Sequence, residues 1–206
     1  NDKFQYNYTI NASVASAFAQ LQFSKNKLDY FAALNFKSTN YQRNGLFKNG
    51  TYQNNSFGES EKQSFTDVSL KGGLTYKITG RHLVNINAAY ISNAPTIRTA
   101  FSNSRVNNNI TPNLTSEKVS TGDVNYIFRG PKIQARATAF YTNFTDAIET
   151  SFFFAEGLLG DQADFVNEII TGVAKKNIGA ELSFEYQAVP TVKLIAVGSF
   201  GQFTYN

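Results

Sequence analysis

Between Val68 and Ile78 every second position is apolar or glycine, with Ser69, Lys71, Gly73, Thr75 and Lys77 standing between Val68, Leu70, Gly72, Leu74, Tyr76 and Ile78. Side chains that repeat every two residues share one face of an extended strand, so this pattern fits a half-buried β-strand and not an amphipathic helix. The design returns in Ile178, Ala180, Leu182, Phe184, Tyr186 and Ala188, opposite a face carrying Glu181 and Glu185. It returns again in Val84, Ile86, Ala88 and Tyr90 against Asn85 and Asn87, and in Leu28, Tyr30, Ala32, Leu34 and Phe36 against Asp29, Asn35 and Lys37.

Four further runs, Ser13 to Ser24, Glu117 to Arg129, Lys132 to Asp146 and Val192 to Tyr205, fit less cleanly, because Phe18, Ile127 and Phe140 fall on the polar face, as Phe31 and Ala33 do in the run from Leu28. Eight strands are therefore expected. Phe4, Tyr6, Tyr8, Ile10 and Ala12 also alternate, so the first strand is expected to start there and change parity at a bulge.

The connections alternate in length. Lys25-Asn26-Lys27, Thr79-Gly80-Arg81-His82, Gly130-Pro131 and Val189-Pro190-Thr191 are tight and rich in turn formers. Those between them are long, from about Gln42 to Ser64, Asn93 to Ser116 and Ala147 to Lys176. Short turns at one end and long loops at the other are the build of outer-membrane barrels, with the turns periplasmic and the loops outside. Strands of roughly 10 to 14 residues, tilted by about 45°, cross an apolar band of about 25 Å. Aromatics gather where interface girdles belong: Phe23, Tyr30, Tyr76, Phe128 and Tyr186 near the turns, and Tyr90, Tyr141 and Phe203 toward the loops. Tyr41 has the wrong parity for such a girdle. The polar face of nearly every strand suits a wet or plugged lumen.

Composition closes other routes. With 42% hydrophobic and 17% charged residues the chain is too apolar for disorder, and its apolar runs, such as Tyr30 to Leu34, fall far short of the ~20 residues of a spanning helix. Cysteine is absent, and the 19 Lys and Arg are scattered, with only Lys175 and Lys176 adjacent, which argues against a nucleic-acid partner. The single histidine, His82, sits in a predicted turn, and no nucleophile elbow or phosphate-binding glycine loop is present, so neither an enzyme nor a cofactor is expected. Glu181 and Glu185 read as parts of a lumen network, and Gly72-Gly73 as an aid to packing or curvature. Asp161 to Ile170 has the spacing of a short helix inside the third long loop, and Phe152-Phe153-Phe154 before it reads as loop packing or as a docking surface for a ligand or partner protein.

Several segments resemble a known family. Pro112-Asn113-Leu114-Thr115-Ser116-Glu117-Lys118 after an Asn-rich loop, then Ala135 to Tyr141 followed by Asp146-Ala147-Ile148, then Asn177-Ile178-Gly179-Ala180-Glu181-Leu182, resemble in order and spacing the barrels of TonB-dependent receptors, with a flavour of Bacteroidota-like bacteria. The resemblance implies an all-β, antiparallel transmembrane barrel of about 22 strands, of which residues 1–206 would be a part, with the plug and remaining strands elsewhere. It also implies import of a scarce ligand, TonB as periplasmic partner through the plug, outer-membrane lipids as surroundings, and a surface lipoprotein as a further partner. No ligand-binding residue carries over by position. The alternatives are a self-contained eight-stranded barrel with a structural or adhesive role, a passive porin, and a soluble β-rich binding module.

The face assignment yields a direct expectation. Leu182→Arg should lower barrel stability by about 2–4 kcal/mol, whereas Ser183→Arg on the other face should be much milder. Folding of both variants into lipid or detergent measures this, and equal losses would mean the faces are exchanged.

Overall fold

The computed structural model describes residues 6–155 and 164–205. Its strands are β1 (Tyr8–Lys25), β2 (Leu28–Gly45), β3 (Gly58–Glu59), β4 (Gln63–Lys77), β5 (His82–Asn93), β6 (Glu117–Arg129), β7 (Ile133–Ala155), β8 (Asp164–Val189) and β9 (Val192–Tyr205), with one short helix, α1 (Ile97–Ala100). The eight long strands form a single antiparallel meander in chain order, and β3 adds a two-residue flap to β2. β1 and β9 are the two ends of this order and do not pair, so the strands do not close into the small eight-stranded barrel held as an alternative.

Strand pairing carries one parity across the sheet. On β2, Tyr30, Ala32, Leu34 and Phe36 share a face, and their partners on β4 are Leu74, Gly72, Leu70 and Val68. Continuing outward, Leu74 leads to Ile86, Val124, Ala139, Ala180 and Phe200. This is the lipid-facing side. The opposite side collects Asp29, Asn35, Lys37, Lys71, Asn85, Asn87, Asp123, Asn125, Arg136, Glu181 and Ser183, and it faces the lumen.

The register also gives the strand tilt. One row of partners runs Lys25, Leu28, Tyr76, Val84, Tyr126, Ala137, Leu182 and Gly198. It begins at the β1–β2 turn, yet by β8 it is seven residues short of Val189, where that strand ends. A slip of about one residue of roughly 3.3 Å per strand spacing of roughly 4.8 Å corresponds to a tilt of about 35°, within the range of outer-membrane barrels.

Two cross-strand pairs explain aromatic residues on the polar face. Phe31 lies directly opposite Gly73, and Phe140 directly opposite Gly179. Each ring lies over its glycine: a Cβ on Gly179 would come 2.6 Å from Phe140 Cζ, and one on Gly73 would collide with the Phe31 ring. The glycines are where a strand leaves room for a neighbour's ring, an aromatic–glycine pairing known to steady sheets. Gly73 is thus the packing glycine of the Gly72-Gly73 pair.

Several expectations are corrected. β1 begins at Tyr8 and pairs with β2 without a register shift as far as Lys25, so no bulge changes its parity, while Phe4 lies outside the described residues. The segment from Ala147 to Lys176 is not a long loop. It is a hairpin in which β7 runs to Ala155 and β8 starts at Asp164, so Phe152-Phe153-Phe154 is strand. Asp164 to Ile170 is strand too and not helix, and Asp161 to Ala163 lie outside the described residues. Above the membrane both faces of a hairpin are wet, so neither a lipid face nor a loop composition marks it in sequence. Phe203 pairs with Asn177 and so falls on the lumen side, not in the outer girdle.

Filling one of these glycine positions should be felt. Gly179→Val drives its side chain against Phe140 and to within 2.7 Å of the Phe200 carbonyl, whereas Gly198 on the lipid side has nothing within 4 Å. Overpacking of about 1–3 kcal/mol is expected for Gly179→Val and little for Gly198→Val, read from urea unfolding of the complete barrel in lipid vesicles.

Candidate ligand-facing site

The outward face turns polar above Phe36, at Ser38 and Asn40 on β2, and above Val68, at Thr66 and Ser64 on β4. At this same level the inward face turns apolar. Tyr41 on β2 and Phe65 on β4 stand opposite parity to the lipid-facing residues, with ring centroids 5.7 Å apart, and Phe101 from the 94–116 loop closes on Tyr41 at 6.3 Å. Ala100 and Phe101 are fully buried beside them, and Ile10, Ile97, Ile110 and Leu114 pack around. This is the largest cluster of buried apolar side chains among the described residues, and it lies outside the membrane, where burial removes a large side chain from water. Burial also pushes the Tyr41 hydroxyl up to about 12. The apparent misplacement of Tyr41 in sequence is thus the mark of a loop folded inward.

The loop that covers Tyr41 is built locally. Thr96 caps α1 by accepting from the Thr99 amide, and the chain returns through a bridge between Phe101 and Ile110. Thr111 fastens the return, its amide donating to the Ala100 carbonyl at 2.9 Å and its hydroxyl to the Thr99 carbonyl at 2.7 Å.

Arg43, two residues beyond Tyr41 on the same face, is 1% exposed. Its Nε donates to the Ser104 carbonyl at 2.6 Å, and its Nη1 to the Ser56 carbonyl at 3.0 Å and to the Asn108 side-chain oxygen. Tyr8 lies under the guanidinium, 5.3 Å to the ring centroid. No carboxylate pairs with it among the described residues. One buried cation therefore ties the 46–62 loop to the 94–116 loop through carbonyl oxygens, and the two loops meet again where the Asn108 amide donates to the Asn55 carbonyl. The guanidinium, with five donors in a planar fork, suits this in a way that lysine does not. Nothing in the local pattern distinguishes Arg43 from other scattered cations.

The outer half of the β7–β8 hairpin reaches the same assembly. Asn167 Nδ2 donates to the Ser102 carbonyl at 3.4 Å. The hairpin bends at a register shift where Asp146 takes φ +57° and Gly172 φ +73°. Ion pairs bracket the bend: Lys118 holds Asp146 at 3.0 Å, and Lys175 holds Glu149, whose carboxyl it keeps below the usual range.

Below the loops, the lumen wall carries a connected polar patch. Asn85 Nδ2 donates to Thr75 Oγ1 at 2.9 Å, and Asn87 Nδ2 donates to Asn85 Oδ1 at 2.7 Å and to Asp123 Oδ1 at 3.1 Å. Thr138 Oγ1 donates to Asn125 Oδ1 at 2.7 Å, and Asn125 reaches Asp123. Phe31 and Phe140 lie in the same row as Asn87 and Asp123, one on each side.

The sequence candidates for chemistry stay apart from all this. His82 opens β5, shares a 2.6 Å hydrogen bond with the Tyr126 hydroxyl and lies 5.0 Å from the Phe128 ring, in the turn-side girdle. Glu185 is held by Lys193 at 2.7 Å, and Glu181 stands opposite Thr138 and Ser199 on the lumen wall. No group of three or more metal-ligating side chains occurs among the described residues.

A family model described as TonB dependent receptor-like, beta-barrel, matches residues 1–206. No curated protein matches the chain. Among solved structures, a copper transporter, OprC, superposes with a TM-score of 0.68 at 17% identity over 91% of this chain and 28% of its own. The FrpB iron transporter from Neisseria meningitidis (F3-3 variant) gives 0.62 at 14% identity, over 96% of this chain and 27% of its own. Those likenesses establish the fold, and the chain spans little more than a quarter of either transporter. The sheet of tilted, alternating strands, its apolar outer band and its inward-folded loops are the barrel of an outer-membrane protein, and the chain belongs to the TonB-dependent receptor-like β-barrel family.

Proposed function

We propose that this chain is a portion of the barrel of an energised importer, in which extracellular loops capture a scarce ligand and pass it into a lumen occupied by a plug that TonB acts on from the periplasm. The observation that carries this reading is the loop assembly on Tyr41 and Arg43: loops are folded inward over the lumen and pinned to its wall, where a captured ligand is delivered to the interior. The open edges of β1 and β9 support further strands elsewhere in the protein, because hydrocarbon tolerates no unpaired backbone. OprC and FrpB are described as copper and iron transporters; a metal-bearing ligand is one class to assay, and no residue here singles it out. The outer β7–β8 hairpin, with Phe152, Phe153 and Phe154 at its surface, is where a surface lipoprotein would sit.

A passive pore would share the loops and the lumen, so energy dependence decides. In cells lacking TonB, uptake should stop while surface binding persists; equal accumulation with and without TonB would make the protein a diffusion channel. Deleting residues 149–170, above the bend, should weaken binding and leave barrel assembly intact.

Arg43→Met should leave three acceptors without their donor, at about 1–3 kcal/mol for each buried group. Both the 46–62 and 94–116 loops are then expected to become protease-sensitive together, with the barrel itself still resisting detergent. Loss of only one loop's protection would mean that Arg43 does not join them.

A further inference from the structure

On the outward face of β5 to β8 two tyrosines stand one strand to either side of β6: Tyr90 on β5 and Tyr141 on β7. Between them β6 presents Gly122 and Ser120, and the floor continues through Ala88 to Gly72, so the tyrosines wall a cleft of about 500 Å³ that Leu70 also lines. Both tyrosines are 41% exposed. The cleft opens toward hydrocarbon, since Leu74, Ile86, Val124 and Ala139 form the next outward row toward the turns.

The outward face ends above this cleft in cations. Asn143 and Lys176 form the next pair after Tyr141 and Ile178, and Lys118 follows Ser120 on β6. Lys176 Nζ sits 5.7 Å from the Tyr141 ring centroid. Lys118 is neutralised by Asp146, whereas no carboxylate lies within ion-pair distance of Lys176 among the described residues. Of the acids around it, Asp146 on the neighbouring strand is held by Lys118 and Glu149 by Lys175, while Glu117, Asp123 and Glu181 share the lumen parity. A lysine without a counter-ion at the edge of the apolar band, over a groove open to hydrocarbon, is complementary to a negatively charged headgroup with a hydrocarbon tail.

We propose that the outward face of β5 to β8 binds one phosphorylated, anionic lipid of the outer leaflet, its phosphate at Lys176 beside Asn143, and an acyl chain in the cleft between Tyr90 and Tyr141. The two halves of the site are separable. Lys176 supplies the charge preference. Gly122 supplies room, and a Cβ there meets only the Asn87 carbonyl at 3.5 Å, an ordinary contact, so a larger side chain fills the cleft without disturbing the sheet.

The test uses the full-length receptor, extracted in mild detergent, stripped of lipid and titrated with dioleoyl phosphatidylglycerol or dioleoyl phosphatidylcholine. Lipid retained per protein is counted by native mass spectrometry, and heat-modifiable mobility on gels verifies folding of each variant. The wild type should prefer the anionic lipid. Lys176→Gln should lower that preference about fivefold, the order expected for one basic residue at an anionic membrane surface, and Lys176→Arg should restore it. Gly122→Leu should weaken retention of both lipids alike. Equal retention of the two lipids by the wild type, an unchanged preference in Lys176→Gln, or undiminished retention in folded Gly122→Leu would each overturn the proposal.

Discussion

Everything in this molecule follows from the backbone hydrogen bond in a solvent that offers none. Within hydrocarbon an unpaired amide or carbonyl costs several kcal/mol, so each strand must have a neighbour on both sides for as long as it is immersed. The registers obey this: β1 and β2 pair from Tyr8–Gly45 to Lys25–Leu28 without interruption, and β5 and β6 from His82–Phe128 to Asn93–Glu117. Irregularity is kept to the margins. The main register shift comes beyond Phe144, where the hairpin has left the apolar band, and a smaller one lies at the last turn.

A paired sheet leaves only the choice of side chain on each face, and here two boundaries set it. Across the sheet, lipid opposes lumen. Along the strands, an apolar outside gives way to water while the wet inside gives way to packed loops. The second boundary inverts the pattern without any bulge: Tyr41, Phe65 and Ile10 lie on the same parity as Lys37, Lys71 and Ser16, and are apolar because loop residues cover them.

This is why some parts were legible and others not. Alternation from Val68 to Ile78 or Ile178 to Ala188 reports a single boundary, and the strands are where it placed them. Phe31 and Phe140 looked like defects because their partners, Gly73 and Gly179, lie on other strands, and only register reveals the pairing. The hairpin above Asp146 leaves no strand signature for the opposite reason: outside the membrane neither face must be apolar, and Val166, Ile169 and Ile170 mimic a helical spacing by chance of composition. Arg43 carries no motif, since its partners are two backbone carbonyls and the Asn108 amide oxygen from loops distant in sequence. The parity of Tyr41, shared by Phe65 and Ile10, is the trace that the inward loop leaves in the sequence.

The shared cation at Arg43 has a thermodynamic consequence. Two loops pinned to one guanidinium can neither order nor loosen independently, so their conformational entropy is lost as a unit when the barrel folds and not when something lands on them. A surface of this kind is shaped before anything touches it, with little left to immobilise at the moment of contact. By linkage, any molecule that grips one loop stabilises the other, although the two are separated in sequence by the whole of β4 and β5.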